Sequence, residues 1–205
     1  IHRNTIVPYL SFKNFFMIFK FRLLAVGLLI TFSIQSQVES PAKQFWNTLQ
    51  SHCNKAYEGA LELPKDDKDF GGKKLVMHVR SCKKNEIKIP FFVGEDKSRT
   101  WILTYKNDRI SLKHDHRHKD GSEDEINFYG GITTNTGQSN IQIFSADQRT
   151  QKMIPAASTN VWWITLDNKK FTYNLRRLGT DRVFKVVMDI TSHIAIPDAP
   201  WGWKD

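Results

Sequence analysis

The sequence predicts a mainly β protein, an antiparallel up-and-down β-barrel of eight to ten strands with an N-terminal helix and one short late helix. From residue 73 onward, apolar residues recur with a period of two, as in half-buried strands. Tight turns separate these runs at short intervals, which is typical of a sandwich or a barrel. We favour a barrel because it closes on itself without a free edge, and about eight strands are enough to hold a small ligand.

The first 36 residues are interpreted as an over-extended N-terminus followed by a secretory signal peptide. Lys20 and Arg22 precede an apolar run over 23–32, and small residues follow up to Ser36. The run has about ten residues, whereas a spanning helix needs about 20, so no stable membrane anchor is expected after cleavage. Met17 stands where such a signal peptide would begin. We therefore expect a secreted or periplasmic protein.

The remaining residues are expected to form one domain. A chain of 205 residues with 40% hydrophobic content is long enough for one buried core. We place a linker at 37–42, the barrel domain at 43–196 and an extended aromatic tail at 197–205, and we expect a monomer.

The positive charge of the chain does not indicate a nucleic-acid partner. The formal net charge is +9, and four of the basic residues lie in the first 36 positions. Nucleic-acid readers cluster Lys and Arg with exposed aromatic residues, and that pattern is missing from the sequence. Pairs such as Lys73-Lys74 and Arg176-Arg177 are interpreted as solvated strand ends.

Two cysteines, Cys53 and Cys82, are expected to form a disulfide bond. An even number of cysteines in an exported chain favours pairing, and neither residue belongs to a Cys-x-x-Cys metal motif. The closed loop of about 30 residues would contribute roughly 3–4 kcal/mol to stability.

The N-terminal helix is predicted from about Pro41 to Lys55. Ser40 provides a cap and Pro41 fits the first helical position. Apolar residues then recur at spacings of three and four, which indicates a helix with one buried face: Phe45, Trp46, Leu49, Cys53 and Tyr57.

Nine strands follow from the alternating pattern. Asn107-Asp108 is a hairpin turn between two of them. Gly130-Gly131 marks a bulge, a bend or room for a bulky neighbour. The late helix begins at a capping box, Ser145 to Gln148, and runs to about Met153. The predicted strands are 75–80, 86–93, 99–106, 109–118, 126–132, 140–144, 160–166, 171–176 and 182–190.

A row of histidines is the main candidate site. Alternate residues of a strand share a face, so His114, His116 and His118 continue the apolar row of Ile110 and Leu112. We therefore expect the histidines to face the barrel interior and the odd-numbered residues between them to face water.

The first functional hypothesis is a small-molecule pocket lined by histidine and aromatic side chains. Such pockets combine apolar walls with a few orienting polar groups. Taken singly, each aromatic is more simply a core residue; the combination with inward histidines favours a cavity. The candidate ligand-binding residues are His78, Arg80, Trp101, Tyr105, His114, His116, His118, Phe128, Trp162, Trp163 and Tyr173.

The alternative is a metal site, structural or hydrolytic, with zinc as the possible cofactor. Alternate histidines on one strand resemble the His-x-His pairs that bind zinc in β proteins. His114 and His118 are about 13 Å apart along a strand, so the feasible site is His114 and His116 with His78 from a neighbour. The simpler explanation is that the histidines bond to Asp or Tyr partners inside the barrel.

Catalysis is a third and less favoured hypothesis. Acidic residues follow the histidines over 120–125 and could act with them as acid and base. An acidic hairpin is more often a soluble turn, and the sequence has no Gly-x-Ser-x-Gly nucleophile motif.

The order of a helix, Tyr57-Glu58-Gly59 and then a meander of hairpins resembles the calycin group of lipocalin-like barrels over residues 43–190. This resemblance implies a barrel that binds a small apolar ligand, although the Gly-x-Trp motif of lipocalins is missing. The segments 76–80, 113–121 and 155–162 are similar to those of uncharacterised secreted bacterial proteins, a likeness that implies no particular activity.

Overall fold

The structure, a computed structural model, describes residues 38–204. The signal segment predicted at 1–36 lies outside the described residues, as does the last residue of the predicted tail. Within 38–204, no helix has the length and apolar character that crossing a membrane requires.

The described chain contains two α-helices, one 3-10 turn and eleven strands. They are α1 (Pro41–Gln50), β1 (Ala56–Leu63), β2 (Leu75–His78), β3 (Ser81–Lys83), β4 (Glu86–Val93), β5 (Asp96–Lys106), β6 (Arg109–His116), β7 (Tyr129–Thr133), β8 (Ile141–Ala146), α2 (Gln148–Met153), the 3-10 turn (Pro155–Ala157), β9 (Asn160–Leu166), β10 (Lys170–Arg177) and β11 (Val183–Asp189).

The strands form one closed antiparallel barrel, which confirms the predicted architecture. From β4 to β11 each strand pairs with the next in the chain, β11 pairs with β1, and β1 pairs with β2. The pairing of β2 with β4 closes the ring at ten strands, and β3 extends along β4 beyond the end of β2. Closure leaves no long unpaired edge in the sheet.

Strand β1 was not predicted, because Tyr57 was assigned to the periodicity of the preceding helix. The strand does alternate, with Tyr57 and Leu61 on the side that packs on the core and Glu58 and Glu62 on the other. Ala56 and Tyr57 are buried, and the rest of the strand is largely exposed. Gly59 allows close contact with β11. A Cβ atom at this position would lie 2.2 Å from the Val187 carbonyl oxygen.

Helix α1 packs its apolar face onto the core. Ser40 caps it by accepting a hydrogen bond from the Lys43 amide (3.2 Å), and Phe45, Trp46 and Leu49 are buried. The Trp46 indole donates to the Lys84 carbonyl at 3.2 Å. The helix ends at Gln50, earlier than predicted, because turns over 51–54 lead the chain into β1.

The disulfide bond between Cys53 and Cys82 is present, as predicted. It links the turn after α1 to β3, across a sequence separation of 29 residues. The disulfide therefore fixes the C-terminal end of α1 to β3.

The predicted turn at Asn107-Asp108 is confirmed. Both residues have positive φ angles, 51° and 54°, as a two-residue hairpin turn of type I′ requires.

The glycine pair Gly130-Gly131 does not make room for a bulky side chain, which was one of the roles considered for it. A Cβ atom on Gly130 would lie 2.0 Å from the Leu112 carbonyl oxygen, and one on Gly131 equally close to that of Ser145. Both glycines are therefore required by the close approach of the flanking strands.

Two boundaries differ from prediction for local reasons. Strand β7 begins at Tyr129 rather than Ile126, because Phe128 takes a positive φ of 57° and interrupts the extended conformation. Helix α2 is capped by Asp147 rather than Ser145, since the Asp147 carboxylate accepts the Thr150 amide at 2.9 Å. A carboxylate two residues later therefore replaces the predicted hydroxyl cap.

The predicted alternation along the histidine strand holds as far as His116. Ile110, Leu112 and His114 are buried, whereas the odd-numbered residues between them are only half-buried. His118 lies beyond the end of β6 and is exposed, so its predicted inward position is wrong.

Candidate functional site

The barrel contains a cavity of about 240 Å³ at one end. Strand β5 shows where this end is, because Arg99 near its start borders the cavity whereas Tyr105 near its finish packs against Trp46 of α1 (5.6 Å between ring centres). The two positions are roughly 20 Å apart along the strand. The helix therefore closes one end of the barrel and the cavity lies toward the other.

Aromatic rings line the deeper part of the cavity. The Trp101 ring stacks between those of Phe91 (4.6 Å between centres) and Tyr173 (4.5 Å). Trp162 also lines the cavity and is 1% exposed. Aromatic rings favour offset stacking and bury large apolar areas. These rings give the cavity a large apolar wall.

His114 lies against this wall in a fixed tautomer. Its Nδ1 is 3.1 Å from the Tyr129 carbonyl oxygen, and its Nε2 is 2.7 Å from the Tyr173 hydroxyl. A carbonyl only accepts, so Nδ1 carries the proton and donates. In the neutral ring, Nε2 then accepts the hydrogen bond of the Tyr173 hydroxyl. Both ring nitrogens are therefore used within the protein.

The buried polar groups of the cavity are uncharged. Burial lowers the pKa of His114 to about 3 and raises the pKa of Tyr129 to about 12. Burial also lowers the pKa of His116, and the nearby Arg99 guanidinium adds to the effect. The His116 Nε2 lies 3.1 Å from the Tyr129 hydroxyl. Neutral His–Tyr pairs thus satisfy the polar atoms beneath the mouth of the cavity.

Three arginines border the cavity: Arg99, Arg177 and Arg182. Arg99 forms an ion pair with Asp96 and lies over the Phe70 ring, with Cζ 5.1 Å from its centre. The Arg177 Nε donates to the Asn160 carboxamide oxygen at 2.9 Å. Arg182 is exposed. Positive groups and polar side chains therefore surround an aromatic interior.

The structure brings five of the predicted ligand-binding residues together around this cavity: His114, His116, Trp101, Trp162 and Tyr173. All five lie on strands, and their side chains have the inward parity that the apolar pattern indicates. The central part of the predicted pocket is therefore assembled by the fold.

Four other predicted residues lie elsewhere. Tyr105 is at the helical end and donates to Asp108 at 2.5 Å. Trp163 points outward, because inward and outward residues alternate along β9 and Trp162 is the buried one. Phe128 lies outside the cavity with the Arg117 guanidinium 5.9 Å from its ring, and His118 is exposed.

His78 and Arg80 lie on the outside of the barrel wall. Leu75 and Met77 belong to the core, so alternation along β2 turns His78 outward. His78 borders a separate outer cleft formed with the C-terminal segment, where the Arg80 guanidinium lies 5.2 Å from the Trp203 ring. His78 is 3% exposed, and burial lowers its pKa to about 4. The predicted contribution of both residues to the inner pocket is wrong.

The zinc trio of His114, His116 and His78 is therefore not assembled. His78 is on the opposite face of the wall, and His114 uses both ring nitrogens for Tyr partners. Among residues 38–204 there is no group of three or more His, Cys, Asp or Glu side chains that could hold a metal ion. The simpler explanation, hydrogen bonding to tyrosines, describes His114 and His116.

The acidic loop after the histidines stabilises its own turns. Asp120 accepts the Ser122 amide and Asp124 accepts the Ile126 amide, each at 2.9 Å. No carboxylate lines the cavity in the part of the chain that the structure describes.

Sequence reasoning missed the arginines and Tyr129. Arg99 and Arg177 share the parity of Trp101 and Tyr173, so the alternation already indicated that they face inward. The Arg176-Arg177 pair was interpreted as a solvated strand end. Both residues are half-buried at the end of β10, and Arg177 borders the cavity. Phe70 comes from the long β1–β2 connection, for which the sequence offers no comparable signal.

The fold and the cavity together define a closed ten-stranded antiparallel barrel with an aromatic chamber at one end and a basic rim. Comparison of the chain with protein-family models, with curated proteins and with solved structures finds no match.

The neutral state of His114 predicts a loss of stability in acid. The pKa of His114 is about 3 in the folded protein and has the ordinary value of 6.5 when the chain unfolds, so the unfolded chain takes up a proton between these values. The corresponding stability is present above pH 6.5 and is lost as the pH falls toward 3. The loss is about 2 kcal/mol between pH 7 and pH 5.

Urea unfolding across this pH range measures the effect. His114→Gln lowers stability at every pH because it disrupts the Tyr173 contact, but its dependence on pH should be shallower than that of the wild type. Parallel curves for the two proteins would show that His114 does not contribute to the loss of stability in acid.

Proposed function

We propose that the protein binds a small ring-containing molecule in the cavity at the open end of the barrel. The observation that carries this proposal is the stack of Phe91, Trp101 and Tyr173, which lines an end cavity rather than filling it. Ligand pockets typically combine such apolar walls with a few polar groups that orient the ligand. Here His116, Tyr129 and the rim arginines supply those groups.

The size of the cavity limits the ligand. Its volume is about 240 Å³, below the range of about 300–1,000 Å³ that is usual for drug-sized ligands. A cavity of about 150 Å³ accommodates benzene, so this one suits a molecule of roughly ten non-hydrogen atoms. A single ring with a short substituent fits, whereas a haem or a long acyl chain is too large.

The proposal keeps the lipocalin-like interpretation in a limited sense. Lipocalins are up-and-down barrels of eight strands that hold ligands inside, and this barrel has ten strands. The shared principle is a closed meander with a small-molecule site at one mouth. The resemblance to calycins supports ligand binding as the role of this interior.

We also propose that the protein works in an oxidising compartment, as a secreted or periplasmic protein. The Cys53–Cys82 disulfide supports this location, since structural disulfides persist outside the reducing cytosol. The apolar run over 23–32 is the sequence feature that favours export. Fractionation of the producing cells checks it, and protein retained in the cytosol with free thiols would contradict export.

Binding is tested with phenylacetate and phenylacetamide, which have the same size of about ten non-hydrogen atoms. Ligand-observed NMR or calorimetry should show saturable binding of at least one of them, with a Kd on the order of 0.1–1 mM, as expected for ligands of this size. If neither compound binds, the proposed function fails.

A matched pair of variants locates the site. Ala157 is buried and lines the cavity, whereas its neighbour Ala156 is exposed. Ala157→Phe fills the cavity and should abolish binding; Ala156→Phe makes the same change outside and should leave it intact. Thermal melts confirm that both variants are folded, and Leu175→Phe replaces Ala157→Phe if that variant does not fold. Unchanged binding in the filled cavity would contradict the proposal.

A further inference from the structure

We infer that the ligand is an anion, a ring compound whose carboxylate is held by Arg177 and Arg182 at the mouth of the cavity. This inference rests on the proposed function and specifies the chemical class of the ligand.

The first observation is the charge of the lining. Three arginines border the cavity, and no Asp or Glu of the described chain does. Asp96 is close enough to form an ion pair with Arg99, which neutralises one of the three. Arg177 and Arg182 have no such carboxylate partner in residues 38–204. The rim therefore has an excess of positive charge directly above an uncharged aromatic interior.

The second observation is how the fold brings these two arginines together. They end β10 and precede β11, and the Arg177 amide donates to the Arg182 carbonyl at 3.1 Å. Both side chains border the same cavity. Like charges at facing positions of a hairpin destabilise it. An anion between the two guanidinium groups would turn that repulsion into attraction.

The third observation is that donors remain available. Arg177 uses its Nε for Asn160, and the two terminal nitrogens carry further N–H donors. Arg182 is exposed, and among the described residues its side chain has no hydrogen bond or ion pair. Guanidinium groups bind carboxylates through two parallel hydrogen bonds, which are stronger than bonds between neutral groups.

The positions of the aromatic rings and the arginines also set the orientation of the ligand along the barrel axis. The rings of Trp101 and Tyr173 lie deeper and form part of the apolar wall against which the ring of the ligand packs, while the guanidinium groups at the mouth accept the charged end. A carboxylate has three non-hydrogen atoms, so a limit of roughly ten leaves room for one six-membered ring and a short link.

The test compares phenylacetate with phenylacetamide, which differ in charge but not in size. Wild-type protein should bind phenylacetate at least about tenfold more tightly than phenylacetamide, because charge-assisted hydrogen bonds are the stronger ones. If the two compounds bind equally well, the inference is overturned while the proposed function stands. If neither binds, both fail.

The decisive variants are Arg182→Gln and Arg176→Gln. Each removes one positive charge, but Arg182 borders the cavity whereas Arg176 lies on the outer face of β10, next to Arg177. Arg182→Gln should reduce the preference for phenylacetate to about threefold or less, and Arg176→Gln should preserve it. Equal losses in both variants would show that the general charge of the protein, rather than direct contact, selects the anion, and would overturn the inference.

Arg177→Gln provides a second test of the contact between the arginines and the carboxylate of the ligand. It should also reduce the preference, and a melting curve separates this effect from the loss of the Asn160 bond. Arg182 makes no such bond, so a loss of preference in Arg182→Gln does not depend on that contact. A full wild-type preference in both cavity variants would contradict the inference.

Discussion

Replacing Trp162 with alanine is expected to lower the free energy of unfolding by about 3–5 kcal/mol, the usual range for deleting a buried aromatic side chain. Trp162 is 1% exposed and lies close to the His114 ring, 5.5 Å between centres. The barrel strands are held by their pairing partners, so the wall cannot collapse fully into the space that is left.

The matched control is Trp163→Ala, one residue along the same strand. Trp163 is partly exposed on the outer face of β9, so its loss should cost about 1 kcal/mol, a typical value for a point substitution. Urea unfolding of both variants at pH 7 measures the difference. Equal costs, or a larger cost for Trp163, would mean that the assignment of inner and outer faces of β9 is wrong.

Removing the disulfide is expected to have an effect of similar size. The loop between Cys53 and Cys82 spans 29 residues in sequence, and the chain-entropy model assigns such a bridge roughly 3–4 kcal/mol. The double variant Cys53→Ala/Cys82→Ala should therefore unfold at a distinctly lower urea concentration than the oxidised wild type.

A reducing agent provides the internal control for this prediction. Dithiothreitol should lower the unfolding midpoint of the wild type toward that of the double variant, and it should leave the double variant unchanged. If the oxidised wild type and the double variant have the same midpoint, the bridge does not stabilise the fold as expected.

Local patterns predicted most of the barrel correctly because a strand repeats every two residues. Ile110, Leu112 and His114 have the inward positions that this period assigns, and Asn107-Asp108 forms the expected turn. The same rule was not applied to β1, because Tyr57 was assigned to the preceding helix, although Tyr57 and Leu61 alternate with Glu58 and Glu62 along the strand.

The candidate site was predicted in part from the same two-residue period. Alternation separates inner from outer residues within a strand, and it correctly grouped Trp101, His114 and Tyr173. The alternation rule was not applied consistently to two other residues. The parity of Trp163 already indicated an outer position, and that of Arg99 indicated an inner position. His78 was placed inside although Met77, its neighbour, belongs to the core.

The sequence by itself determined what depends on neighbours along the chain: the β class, the turn at Asn107-Asp108, the parity of the histidine strand and the presence of a cysteine pair. Only the tertiary structure decided which distant residues meet. Closure of β2 on β4 set the ring at ten strands, and the β10–β11 hairpin placed Arg177 beside Arg182. The physical reason is that periodicity specifies the side of a strand that a residue occupies, whereas a cavity depends on which strands face each other across the barrel.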